Sequence, residues 1–528
     1  MPQIANNRGM TTQPITMNGA ESLVHTLVAN GISVCFANPG TSEMHFVAAL
    51  DRIPGIRCVP GMQENVVTGM ADGYGRIAQA PAATLLHCGP GFANGIANLH
   101  NARKARSPVV NIVGDQATYH AGFAPPLAMA TQTLAETVSD WVRTSTRAET
   151  VGRDAAEAVR AARSAPGQIA TLILPSDASW NAGGVPAGRL PPFAARPFDM
   201  AKLRTAAAIL REKKNVLILL GDRALEHGPQ QHAARIQAKT GCRLMAESIN
   251  GLQARGQGRI PLERVPYPAA MAMDRLRDVE HIICVGSRAP VGFFAYPGVP
   301  SHHAPESATV TVLAQPGQDM LEALDALAQE VAAPRTAVFD SGRKPAMPKG
   351  LPSSEGFGQL LGAVLPEQAI VVDEAITFGT FMFPGSYAAA PHDWMMVTGG
   401  AIGYGMPAAT GAALAGNGRR VLNIQADGSA MYTIQSLWTQ AREKLPVTTV
   451  IINNRKYQIL IGEYAGVGAN PGPTALNMLD LGNPDMDFVK IANGLGVEAA
   501  RVDTLEDCAR LMQVSFRQDT PFLIELMV

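Results

Sequence analysis

Short, nearly unbroken apolar runs alternate along this chain with longer stretches in which apolar residues return every three or four positions. VCFANPG (34–40), AATLLHCGPG (82–91), PVVNIVGD (108–115) and QIATLILP (168–175) have the first character, whereas ESLVHTLVANG and NVVTGMADGYGRIAQ have the second. The alternation returns at NVLILLGD (215–222), HIICVGS (281–287) and TVTVLAQ (309–315). It returns again at QAIVVDE (368–374), RVLNIQADG (420–428), PVTTVIINN (446–454) and PFLIELMV (521–528). Strands apolar on both faces and separated by helices predict parallel sheets covered on both sides, a doubly wound α/β fold. Two proline-rich stretches of linker composition, 185–199 and 332–355, interrupt the pattern. They divide the chain into three consecutive α/β domains, expected at 16–185, 196–335 and 352–528, after a loose polar tail at 1–15.

A length of 528 residues suits three domains, and 47% apolar against 16% charged residues suits large buried interfaces. With 43 basic and 44 acidic side chains, the balance favours neither nucleic acid nor an anionic membrane surface as partner. No apolar run reaches the roughly 18–20 residues that cross a bilayer, and the first fifteen residues lack a signal peptide's apolar stretch. The six cysteines are scattered, without C-x-x-C or clustering with histidine. They are expected to be buried thiols in a reducing cytoplasm, not a disulfide framework or zinc site.

In doubly wound sheets ligands sit at the carboxyl ends of the strands. The segment 420–457 puts Asp427-Gly428-Ser429 at one strand end, then a helix of about four turns, then Asn453-Asn454 at the next strand end. Asp427 and Asn454 lie 27 positions apart, one strand–helix–strand crossover, so they can emerge side by side. One carboxylate and one amide oxygen suit Mg²⁺, which borrows further oxygens from phosphate and water. Gly428 would let the backbone approach a ligand, and the helix beginning near Ser429 would aim free N–H groups at an anion.

This D-G-S turn followed by N-N is similar to the thiamine diphosphate motif of the decarboxylase and acetolactate synthase superfamily, with Ala426 where that motif usually has glycine. The resemblance implies a pyrimidine-binding, a central and a diphosphate-binding domain in that order. It implies Mg²⁺ held by the Asp427 and Asn454 side chains and the Lys456 carbonyl. Thr398–Pro407, glycine-rich, resembles the segment that bends thiamine diphosphate, with Ile402 under the bend and the Gly400 carbonyl on the aminopyrimidine. Thr377 falls where the family has a diphosphate-binding hydroxyl. Within GMQENVVTGMADGYGRI (61–77), Glu64 resembles the carboxyl that relays a proton with the cofactor ring, and the small residues after it permit close helix packing. Because relatives set the first domain of one subunit against the third of another, a homodimer or homotetramer with sites between subunits is implied.

Two segments resemble benzoylformate decarboxylase more closely. Asn38–Glu43 is similar to its N-P-G-S-N-E loop, placing Thr41 on an active-site serine, and His87 falls on its first active-site histidine. APVGFFAYPG (289–298) resembles its second-histidine segment but has Ala295 at the matching position; His302 and His303 read as surface loop. GPGFAN (89–94) and 483–499 are instead synthase-like, yet the middle block has no glycine-histidine segment of the kind that binds FAD, so FAD is not expected. The resemblance implies cleavage of a 2-oxo acid with loss of CO₂ through an enamine, the alternative being a carboligase that joins the enamine to a second carbonyl compound. A nucleotide-binding oxidoreductase lacks its G-x-G-x-x-G and G-x-x-x-x-G-K-[ST] motifs here. Retention of Glu64, Asp427 and Asn454 speaks against a catalytically silent relative.

Overall fold

The computed structural model describes residues 17–528, so the tail expected at 1–15 lies outside them. The first sheet contains β1 (Val34–Asn38), β2 (Arg57–Pro60), β3 (Ala82–Leu86), β4 (Val109–Asp115), β5 (Trp141–Thr144) and β6 (Ile169–Pro175). Their order is β2-β1-β3-β4-β6-β5 and every pairing is parallel. The second sheet joins β7 (Val216–Leu220), β8 (Arg243–Ala246), β10 (Glu263–Arg264), β11 (His281–Val285) and β12 (Thr309–Ala314) as β10-β8-β7-β11-β12, again parallel. The third contains β13 (Ile370–Glu374), β14 (His392–Met396), β15 (Val421–Ala426), β16 (Val447–Asn453), β17 (Glu498–Val502) and β18 (Phe522–Met527). Its order is β17-β18-β16-β15-β13-β14-β9, where β9 (Gln253–Arg255) comes from the middle of the chain and pairs antiparallel with β14. Central strands such as β3 and β16 are buried at every residue, as near-continuous apolar runs demand.

The excursion of β9 covers an edge that would otherwise expose unpaired backbone groups. Arg255, at its end, is buried over the Phe383 ring at 3.2 Å and donates to Ser386 Oγ at 2.8 Å. The first and third sheets meet where the helix Glu64–Ala78 crosses the helix Gly405–Ala415. A side chain at Gly73 would overlap the Ala408 backbone, and one at Gly411 the Met70 carbonyl, so the crossing depends on these two glycines. Arg76 pairs with Asp72 and donates to the carbonyls of Met396 (2.7 Å) and Gly251 (3.2 Å), tying the three segments together at one buried guanidinium.

Four expectations need correction. The helix after Asp427 is two helices, Asp427–Thr433 and Ser436–Glu443. Thr433 Oγ1 donates across to the Gly403 carbonyl and Ser436 Oγ bonds back to the Thr433 carbonyl, which competes with the helical ladder at that point. His303 is buried, not surface loop, because its chain pairs with Pro290 and Gly292. Cys58 is exposed on the edge strand β2, while the other five thiols are buried. Cys88 does cluster with histidine: its sulfur, a His87 ring nitrogen and a Glu43 oxygen lie within 4.8 Å of one another.

Candidate active site

The parallel pairing of Ala426 with Ile452 brings the ends of β15 and β16 together, so Asp427 emerges beside Asn453-Asn454. Asp427 is 3% exposed. Its Oδ1 accepts from Gly428 N (2.7 Å), and its Oδ2 accepts from Asn454 N (3.1 Å) and Arg455 N (2.6 Å). Burial pushes this carboxyl above its ordinary pKa, and those N–H groups pull it back down. Asn454 Oδ1 accepts from Lys456 N (3.1 Å), and the Lys456 carbonyl accepts from Gln458 N (2.9 Å). Arg455 between them adopts a left-handed φ of 57°, which puts the Asn454 amide and Lys456 carbonyl on one short turn, and the Asp427 carboxylate meets that turn through the Asn454 and Arg455 N–H groups. Such an all-oxygen donor set fits a hard divalent cation that completes its shell with phosphate oxygens and water. At Gly428 a Cβ would overlap the Tyr457 ring, so this position also needs glycine for packing. Ser429 is held inward, donating to the Ala426 carbonyl (3.1 Å) and accepting from Gln425 Nε2 (2.6 Å).

The glycine-rich loop turns at Gly400 (φ 75°) and Gly403 (φ 91°) before the helix begins at Gly405. Carbonyls of three loop residues are engaged: Gly399 with His100, Ala401 with Asn101, and Gly403 with Asn98 and Thr433. Among the described residues no protein donor reaches the Gly400 carbonyl, so a donor on a cofactor ring has an acceptor there. Ile402 is half-buried between them. The loop's N–H groups at Gly403, Tyr404 and Gly405 all converge on Glu374, the last residue of β13, which motif reading passed over. Thr377 is exposed three residues later, directly after Ile376, a β-branched residue with φ 51°. Left-handed backbone at such a residue costs of order 1–3 kcal/mol and concentrates at functional sites. Phe293 lies against Gly400, and Ala295 is exposed two residues beyond it.

In the first sheet Glu64 opens its helix at the end of the loop after β2 and is 7% exposed. Its Oε2 accepts from Asn94 Nδ2 at 3.1 Å. A methyl at Gly91 would stand 2.9 Å from Glu64 Oε1 and 3.2 Å from His87 Cβ, so both side chains border one glycine. His87 follows β3 and precedes Cys88, which has φ 52°. The imidazole Nδ1 lies 2.9 Å from Glu43 Oε2, and Ser42 Oγ lies 3.3 Å from that nitrogen and 3.1 Å from Cys88 Sγ. A carboxylate only accepts, so Nδ1 donates to Glu43 and Nε2 is the ring nitrogen left without that partner. Glu43 is a second residue that motif reading missed; only its position in the N-P-G-T-S-E loop signalled it. Thr41 is exposed at the start of the single turn Thr41–Glu43, and its neighbours Ser42 and Glu43 are the ones that touch His87.

Two groups of predicted residues are thus assembled: Asp427, Gly428, Ser429, Asn454 and Lys456 at one strand edge, and Glu64 with His87 at another. Among the described residues no hydrogen bond joins Glu64 to the third-sheet group. A separate cleft of about 1190 Å³ opens at the carboxyl ends of the middle sheet, lined by Arg106, Asp222, Glu247, Arg288 and Tyr267 and reaching Thr398 and Gly399.

Comparison with known proteins bears on both strand edges. Residues 17–140 match the family description "thiamine pyrophosphate enzyme, N-terminal TPP binding domain", and residues 381–526 match "thiamine pyrophosphate enzyme, C-terminal TPP binding domain". A Mycobacterium tuberculosis protein named as a candidate acetolactate synthase large subunit, IlvX, is 49% identical over 97% of this chain and 99% of its own. Benzoylformate decarboxylase of Pseudomonas aeruginosa is 30% identical, with 94% of this chain and 96% of the relative covered. The structure of a thiamine diphosphate-dependent 4-hydroxybenzoylformate decarboxylase of Rhodococcus jostii superposes with a TM-score of 0.83 at 24% identity, covering 96% of this chain and 98% of that one. With Glu64 inside the first matched region and Asp427 and Asn454 inside the second, the chain belongs to the thiamine pyrophosphate enzyme family, alongside decarboxylases and acetolactate synthase-like proteins.

Proposed function

We propose that the protein uses thiamine diphosphate with Mg²⁺ to cleave a 2-oxo acid with loss of CO₂, in the manner of a benzoylformate decarboxylase. The carrying observation is the adjacency of Asp427 and Asn454 on neighbouring strand ends, with Glu64 buried at a helix start elsewhere in the family's matched regions. Thiamine diphosphate, when bound, supplies a carbon nucleophile and an electron sink for the bond that breaks. Asp427, Asn454 and the Lys456 carbonyl hold Mg²⁺, and the Thr377 hydroxyl and the turn at Gly428-Ser429 border the diphosphate. The Gly400 carbonyl and Ile402 orient the ring system, and Glu64 exchanges a proton with the ring nitrogen through its carboxyl. His87 Nε2, with Nδ1 committed to Glu43, accepts or delivers a proton at the substrate carbon or contacts the substrate carboxylate; Thr41, exposed on the turn that carries Glu43, contacts the substrate with its hydroxyl.

Ala295, where a second histidine is expected, removes a proton donor, and this together with the IlvX likeness favours a second reading: a carboligase passing the same fragment to a carbonyl acceptor. The three domains at 16–185, 196–335 and 352–528 would assemble as a homodimer or homotetramer with sites between subunits, in the cytoplasm. No helix among the described residues is long and apolar enough to cross a membrane. A panel of 2-oxo acids, with and without aldehyde acceptors, tests the reading by scoring CO₂, aldehyde and hydroxyketone. Aldehyde release supports the decarboxylase, and hydroxyketone in its place supports the carboligase. No CO₂ from any acid in the thiamine diphosphate- and Mg²⁺-loaded protein overturns both.

A further inference from the structure

Glu374 is 1% exposed, and all its hydrogen-bond partners are neutral. Its Oε1 accepts from Gly403 N (2.7 Å) and Tyr404 N (3.2 Å), and its Oε2 from Gly405 N (2.6 Å) and Gln425 Nε2 (2.8 Å). The three backbone donors stand at the start of the helix Gly405–Ala415, which has no cap from its own N-terminal side chain. A carboxylate on a strand some thirty residues earlier therefore takes the place of an N-cap, at the end where the helix dipole is positive. The arrangement depends on Gly405: a Cβ there would lie 2.8 Å from Asn423 Oδ1 and 3.0 Å from Glu374 Oε2.

The same carboxylate reaches a second element. Gln425 Nε2 touches both Glu374 Oε2 and, at 2.6 Å, Ser429 Oγ. Gln425 precedes Ala426 and Asp427, so one buried acid is linked to the loop carrying Gly400 and Ile402 and to the turn carrying Asp427. Left alone, a loop with left-handed turns at Gly400 and Gly403 would sample many backbone states, and each wrong state lowers the fraction competent to bind. Burial opposes the charge on this acid and, against the pull of four donors, still raises its pKa to about 7. That a costly group is kept between two halves of one site, with neutral donors alone on its oxygens, calls for a positional role.

We propose that Glu374 is a positioning residue: it fixes the 399–405 loop and, through Gln425, the Asp427–Ser429 turn in the mutual geometry that takes up thiamine diphosphate. This rests on the thiamine diphosphate reading above. The test is calorimetric titration of the full-length protein, stripped of cofactor and metal, with thiamine diphosphate at fixed Mg²⁺, each variant's melting temperature being followed in parallel. Glu374→Gln keeps the volume but sets an amide against N–H donors; affinity should fall about tenfold or more. Gln425→Leu keeps the helix cap and cuts the bridge to Ser429; affinity should fall about three- to tenfold. Wild-type affinity in Gln425→Leu, together with wild-type affinity in Glu374→Gln or its failure to fold, overturns the proposal, because a merely structural acid would move the melting temperature alone. A wild-type protein that takes up no thiamine diphosphate would sink the functional reading itself, which separates the two failures.

Discussion

Replacing Glu64 by glutamine changes one atom of a buried side chain and leaves its volume intact. Asn94 Nδ2 still finds an acceptor at 3.1 Å if the new amide turns its oxygen toward it, and Gly91 leaves the space beside Oε1 open. The folding cost is therefore about one ordinary hydrogen bond, roughly 0.5–1.5 kcal/mol. The chemical cost is larger, because an amide cannot exchange a proton with the cofactor ring. Loss of a positioned general acid–base group costs about 10²–10⁴ in rate, or roughly 3–5 kcal/mol of barrier. The two effects are separable: turnover should collapse while cofactor affinity changes little and the melting temperature drops by a few degrees. Steady-state CO₂ release, calorimetric titration with thiamine diphosphate and thermal denaturation of the same preparation measure the three quantities. A variant that binds cofactor and turns over within about threefold of wild type would remove Glu64 from the proton relay.

Other perturbations follow from the same geometry. If sites form between subunits, Glu64→Gln and Asp427→Ala, each inactive alone, should recover about a quarter of wild-type activity after unfolding together and random reassembly, since half the dimers are mixed and half their sites intact; no recovery would place each site within one chain. Glu43→Gln should leave folding and cofactor uptake near wild type but lower kcat about tenfold or more and alter the pH profile, because the charged acceptor that fixes the His87 tautomer becomes a neutral amide able to offer either oxygen or N–H; an unchanged profile would contradict that role. Burial, with the Arg255 and Arg259 charges nearby, pushes His392 down to about 3, so the folded ring stays neutral while the unfolded one protonates below about 6.5. Stability should thus fall as pH drops through that window, by about 2 kcal/mol between pH 6.5 and 5 from this group. His392→Asn, which can still donate to the Ala390 carbonyl, should remove that part of the acid sensitivity in urea unfolding at pH 7 and 5; parallel losses in both proteins would refute it.

The fold was readable because fully buried parallel strands must be apolar throughout, and the strand at each run named from sequence, from Val34–Asn38 to Phe522–Met527, lies within it or nearly so. Short edge strands escaped for the converse reason: β5 and β17 are only partly buried, carry Trp141, Arg143 and Arg501, and lack the continuous signature. β9 could not be foreseen at all, since its three residues join a sheet more than a hundred positions away. At the site, contiguous motifs such as Asp427-Gly428-Ser429 and Asn453-Asn454 were legible because strand ends lie close together in doubly wound sheets. Glu43, Glu374 and Gln425 were not, because their significance lies in partners 29 to 51 positions away, visible only after folding. The break after Thr433 was hidden similarly, its cause being a carbonyl at Gly403.

The central claim is that this chain binds thiamine diphosphate through a divalent metal. Loading the purified protein with thiamine diphosphate and Mg²⁺, removing the excess, denaturing it and quantifying what is released tests this directly. About one thiamine diphosphate and one Mg²⁺ per chain is the predicted result, with both lost together in Asp427→Ala. Release of neither, or equal retention by Asp427→Ala, would contradict the account.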